Sequence, residues 1–171
     1  MPLVQQEQIR GVIHTHSSWS DGKYSIQEMA AACIARDYEY LGITDHSKTA
    51  GYAGGLSIDR VKAQWEVIEK LNAQYAAEGV NFVIFKGIES DILGNGDLDY
   101  PTDILAGFDF IVASVHQQLD MPLDAMMDRF KRAIENPFTT MIGHPTGRLL
   151  LKREESSLDM NVLIEYAAQQ Q

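Results

Sequence analysis

Cysteine occurs once in these 171 residues, at Cys33, so an internal disulfide is excluded and with it a disulfide-stapled scaffold. A single thiol suits a reducing, cytoplasmic setting. On an apolar helical stripe it reads as a small hydrophobe rather than a nucleophile. Long hydrophobic runs are missing as well. None approaches the roughly 20 residues needed to cross a bilayer, and the opening MPLVQQEQIR has neither the basic segment nor the apolar core of a secretory signal. Cations are in deficit, 14 Lys and Arg against 24 Asp and Glu, for a formal net charge of −10. That balance argues against a surface that coats nucleic acid or an anionic membrane. It leaves room for a local site for a phosphorylated ligand, provided bound cations offset the carboxylates. A GxxxxGK[ST] loop and a Gly-x-Ser-x-Gly elbow are absent, and GNGDLD does not fit a dinucleotide-binding loop.

What is present alternates. Hydrophobic residues make up 45% of the chain, enough for one core, and a single domain over residues 1–171 is expected. Short β-type runs, GVIH (11–14), YLGIT (40–44), FVIFKGI (82–88), FIVASV (110–115) and TMIG (140–143), are separated by amphipathic stretches. Ser25 and Glu28 form a capping box ahead of a helix with Ile26, Met29, Ala30, Cys33 and Ile34 on one stripe. Ser57 is placed to cap a second helix, with Val61, Trp65, Ile68, Asn72 and Tyr75 along one of its faces. A third has Leu123, Met126, Met127, Phe130 and Ile134 inward and stops before Pro137. Asp159 is placed to cap the last, through Leu163, Ile164 and Ala167. Asn95-Gly96 predicts a two-residue hairpin turn. The methionines at helical spacing are core fillers. Strands alternating with helices imply βα units and a mostly parallel sheet, either a barrel or a doubly wound layer.

The five histidines then stand out. His14 and His16, His46, His116 and His144 all lie at, or within two residues of, the C-terminal end of a predicted strand, and Glu89 follows the third. In parallel βα architectures those ends share one face, which carries the active site in barrels. One histidine at a strand end is ordinarily a hydrogen-bonded rim residue. Five of five, with Glu89 and Asp21 added, point to divalent metal, because clustered imidazoles and carboxylates are costly to bury without a partner. His14 and His16, two apart in an extended segment, are expected to point to the same side and grip one ion. Nitrogen and oxygen donors suit zinc, manganese or iron(II), and the lack of a cysteine ligand argues against a structural zinc finger. The number of candidate ligands implies two to three ions. Clustered ions serve phosphate-ester hydrolysis by activating a water and stabilising the attacking and leaving oxygens.

HTHSSWSDG, ITDHS, KGIESDIL, ASVH and GHPTGRLL, in this order, resemble the PHP (polymerase and histidinol phosphatase) domain. They look most like the version at the C-terminus of bacterial family X DNA polymerases. The resemblance implies an α/β fold, a distorted (β/α)7 TIM-like barrel, here reduced to about five βα units. It implies three metal positions. His14, His16 and Glu89 would hold the first ion, and Glu89, His116 and His144 the second, with Glu89 bridging; Asp21 and His46 would contribute to the third. Glu89, His116 and His144 are the expected catalytic centre. The implied activity is 3′–5′ exonuclease-type hydrolysis of DNA 3′-end phosphodiesters, with a polymerase domain as partner in a longer parent. Family members continue through two more strands to a final Asp-x-His, so a piece of a longer protein is expected, with weakened first and third metal positions. An open edge at the fifth strand would favour a dimer. The alternatives are a small-molecule phosphatase of histidinol-phosphatase type and an inactive interaction module.

Arg148 and Lys48 are placed to meet a substrate phosphate, Arg148 in bidentate fashion, or else are solvated surface charges. Trp19 and Tyr24 flank Asp21 and would either stack on a base or pack over the mouth. Asp45 precedes a ligand histidine and would orient it or cap the loop.

Overall fold

The computed structural model describes residues 3–170. The chain forms two compact units, Met1–Ile88 and Glu89–Gln171, with the boundary inside the third strand. The first unit runs β1 (Gly11–Thr15), α1 (Ile26–Ile34), β2 (Tyr40–Ile43), α2 (Ile58–Ala77) and the start of β3 (Val83–Asp91). The second continues with the end of β3, α3 (Thr102–Leu105), β4 (Phe110–Ser114), α4 (Leu123–Glu135), β5 (Met141–Ile142) and α5 (Met160–Gln169). The β1–β2, β2–β3 and β4–β5 pairs are parallel, which a βα repeat requires. The sequence-predicted α/β class and its five βα units are therefore present.

In the first unit the helix starts follow the capping chemistry. Ser25 accepts from the Glu28 amide while the Glu28 side chain reaches back to the Ser25 amide. Ser57 accepts from the Arg60 amide. Ile26, Ala30, Cys33, Leu41, Ile43, Ile68, Leu71, Tyr75, Phe82 and Ile84 form one buried cluster, with Trp19 and Met29 packed against it. Complete burial of each large aliphatic side chain contributes about 1.5–3 kcal/mol. Burial also pushes the Cys33 thiol pKa up, with Arg36 opposing, as befits a structural thiol. Asn72, on the face of α2 that carries Val61, Ile68 and Tyr75, donates from its side chain to the Ile84 carbonyl at 2.9 Å and accepts the Ile84 amide at 2.8 Å. It thereby ties α2 to β3.

The second unit buries Met126, Met127, Phe130 and Ala133 of α4 and Leu163 of α5. Asp159 caps α5 by accepting from the Asn161 and Val162 amides. One inward assignment fails: Leu123 is 46% exposed. Leu123 opens its helix, where the first turn has no preceding turn to close the apolar stripe. The Asn95-Gly96 turn also differs from the two-residue form. Leu93 donates to the Asp97 carbonyl and Gly96 to that of Leu93, with Gly96 at φ +89°. These bonds enclose three residues, and the left-handed third position favours glycine.

Candidate metal-binding clusters

β1 does not deliver its histidines by simple alternation. His14 has φ +61°, and the β1–β2 register shifts between Val12 and Thr15. This is a bulge, and it re-aims side chains. The expectation that His14 and His16 share a side because of the pleat is thus corrected. Their rings still lie 5.7 Å apart, tilted, but the bulge sets that spacing. A non-glycine residue at positive φ costs about 1–3 kcal/mol and marks functional positions more often than neutral ones. His144 in the second unit, at φ +24°, shares the feature.

The first-unit cluster gathers His16, Asp21 and His46. One ligand atom from each lies within 4.8 Å of the others. Asp21 Oδ1 is 3.5 Å from His16 Nδ1, and Asp21 Oδ2 is 3.7 Å from His46 Nε2. The His16 and His46 rings are 4.4 Å apart. Behind them sits Asp45, fully buried. Its carboxylate accepts from the Ser17 amide (2.7 Å), the Ser17 hydroxyl (2.6 Å), the Ser20 hydroxyl (2.5 Å) and Gln64 Nε2 of α2 (2.7 Å). One side chain therefore holds the 17–20 loop, which delivers Asp21, against the strand end that delivers His46. Arg60 braces the same loop through the Trp19 carbonyl.

The second-unit cluster centres on Glu89, 1% exposed at its side chain. Glu89 Oε1 lies 2.8 Å from His144 Nε2 and 3.3 Å from His116 Nε2. The other nitrogen of His116, Nδ1, is 2.5 Å from Asp91 Oδ1. β3 runs on through Glu89 and Asp91, beyond the predicted end at residue 88. Positions 89 and 91 therefore share one side of a strand. Asp91 is the residue that sequence reasoning missed. The i+2 spacing from Glu89 was the available signal, but only its contact with His116, 25 positions away, reveals the role.

Burial opposes a charge on His116, yet its bonds to Asp91 and Glu89, and their negative charge, outweigh this and raise its pKa to about 9. In metal-stripped protein His116 therefore binds its proton more tightly folded than unfolded, where its pKa is about 6.5. The stabilisation is fully present below about pH 6.5 and is lost as pH rises through about 9. Urea denaturation at a series of pH values is expected to show a midpoint falling across that window, and His116→Gln is expected to remove that part of the slope. An unchanged slope in the variant refutes the assignment.

Lys48 is exposed, two residues beyond His46, and Arg148 is exposed, four beyond His144. Trp19 is partly buried against the core cluster, whereas Tyr24 is 62% exposed. The donor sets fit divalent cations. The His16, Asp21 and His46 atoms lie at spacings that one ion can bridge; around Glu89 two imidazole nitrogens face one carboxylate oxygen, and sulfur takes no part in either cluster.

Parallel βα repeats whose strand ends carry imidazole–carboxylate clusters able to hold metal define the class. The chain belongs to the PHP domain family, whose model matches residues 13–162. It is 45% identical over 165 residues to the DNA polymerase/3′-5′ exonuclease PolX of Bacillus subtilis, covering 96% of this chain and 28% of that protein. It is 34% identical over 138 residues to a probable phosphatase of Thermoanaerobacter sp. strain X514, covering 77% of this chain and 52% of that protein. A probable phosphatase of Acetivibrio thermocellus is 32% identical over 137 residues, again covering 77% of this chain and 52% of the relative. The chain thus spans between about a quarter and a half of the relatives it matches. No helix among the described residues is long and apolar enough to cross a membrane.

Proposed function

We propose that this chain is a metal-dependent phosphoesterase domain acting on DNA 3′-terminal phosphodiesters, and that it works alongside a polymerase domain in a longer parent. His14, His16, Asp21 and His46 of the first unit, and Glu89, His116 and His144 of the second, are the proposed ligands for two to three divalent ions, zinc or manganese. The observation that carries the reading is the buried Glu89 carboxylate facing two imidazole nitrogens, one of them on a ring held from behind by Asp91. Such a carboxylate–histidine pair fixes the ring's tautomer and aims the free nitrogen at a metal. Divalent ions there would supply Lewis-acid stabilisation of phosphoryl oxygens and an activated water. The protein's part is to hold the ligands: Asp91 orients His116, and Asp45 holds the loop bearing Asp21. Arg148 is the proposed phosphate contact, with Lys48 the weaker candidate.

The identity to PolX over nearly the whole chain supports a DNA substrate. The probable phosphatases, matched over a larger share of their own length, support a second reading, hydrolysis of a small phosphomonoester. Bound metal measured by mass spectrometry, with manganese-supplemented assays on a 3′-labelled oligonucleotide and on histidinol phosphate, separates these. Nucleotide release that disappears in His16→Ala is the expected result. Turnover of histidinol phosphate alone favours the phosphatase. Metal without turnover of either substrate favours a non-enzymatic module, and no metal uptake in excess Zn²⁺ or Mn²⁺ overturns the ligand assignment.

A further inference from the structure

Arg129 lies on α4 and is 3% exposed, yet its hydrogen bonds go to neutral acceptors, nearly all of them backbone carbonyls, and not to a carboxylate. Nε donates to the Leu93 carbonyl at 2.9 Å, and Nη2 donates to that of Ile92. Nη1 donates to the Gln117 carbonyl at 3.0 Å and reaches that of Gln118 and the Met121 sulfur, both at 3.5 Å. Burial pushes the guanidinium pKa down, and the charge of Asp91 opposes that push. Taking a cation out of water for neutral partners is expensive, so an apolar side chain would fill this position at lower cost.

The placement of the four carbonyls explains what the cost achieves. Ile92 directly follows Asp91, and Gln117 directly follows His116. The guanidinium therefore grips the chain one residue beyond each end of the Asp91–His116 hydrogen bond. A further contact joins the same two loops. Gln118 sits at φ +53°, and a side chain at Gly94 would come within 2.7 Å of Gln118 Oε1.

We infer that Arg129 is a positioning residue for His116: it clamps the loops after β3 and β4 so that Asp91 holds one ring nitrogen and the other stays turned to Glu89. The inference rests on the proposed metal-ligand role of His116. It requires the planar five-donor fork of arginine, since lysine keeps the charge but cannot span four carbonyls on two loops.

The test uses the full chain with ¹⁵N-labelled histidine, following each ring's resonances during titration with Zn²⁺. In Arg129→Lys the His116 response is expected to need roughly 10–100 times more metal, the range found when a partner behind a ligand is removed. The His16 response should stay at its original concentration. A general loss of structure would shift both. A second measurement needs no substitution: exchange of the Arg129 Nε–H in the unmodified protein is expected to slow at least about tenfold at metal saturation, because linkage makes the coupling reciprocal. An unshifted His116 titration in Arg129→Lys, or Nε–H exchange indifferent to metal, overturns the inference alone. If His116 of the unmodified protein does not respond to metal, the ligand assignment falls first and the inference with it.

Discussion

Glu89→Gln is expected to abolish metal-dependent hydrolysis and to weaken metal binding at the His116 and His144 nitrogens by at least about 100-fold. The side chain is almost wholly buried and faces both imidazoles. Removing the charge from a buried, hydrogen-bonded pair costs about 3–5 kcal/mol, and each 1.4 kcal/mol is a factor of ten in affinity. Glutamine keeps the shape and one acceptor oxygen, so the fold is expected to persist. In metal-free protein the same change removes part of what holds the His116 proton, and the pKa of that ring should fall from about 9 toward its ordinary range. Metal titration followed at His116 and an NMR pH titration read the two effects separately. Wild-type metal affinity in a folded Glu89→Gln protein would refute the central role given to this carboxylate.

Asp45→Asn is expected to be the most damaging change among residues that are not themselves proposed ligands. Two carboxylate oxygens accept four hydrogen bonds in a fully buried setting. An amide replaces one acceptor with a donor, which then faces groups that also donate. Each buried donor left without an acceptor costs about 1–3 kcal/mol, so a loss of about 2–4 kcal/mol and a Tm lower by roughly 5–15 °C follow for a chain of this size. Metal affinity at His16, Asp21 and His46 should drop about 10–100-fold as the 17–20 loop loosens. Gln64→Leu removes one donor and leaves three, and is expected to lower Tm less. Calorimetry with His46-detected metal titration checks both. A stable Asp45→Asn protein with unchanged affinity at His46 would show that the loop is held by other contacts.

The helix starts at Ser25 and Asp159, the buried face of α1 and the positions of all five histidines could be read along the chain. Each depends on residues three or four apart, or on the alternation of strand and helix. The centres around which the ligands are arranged could not be read that way. Asp45 meets Gln64, Asp91 meets His116, and Arg129 meets Ile92 from α4. These partners are 19, 25 and 37 positions apart, and no periodicity in the sequence links them. The bulge at His14 is of the same kind, since it arises where β1 loses register against β2.

By itself the sequence determined the βα order and the identity of the proposed ligands, because helix caps, strand runs and the choice of imidazole or carboxylate are properties of a residue and its near neighbours. Which nitrogen of His116 faces Glu89, and what holds Asp21, was decided only by tertiary structure. Buried polar groups must find partners, and here those partners come from elements brought together by the packing of βα units.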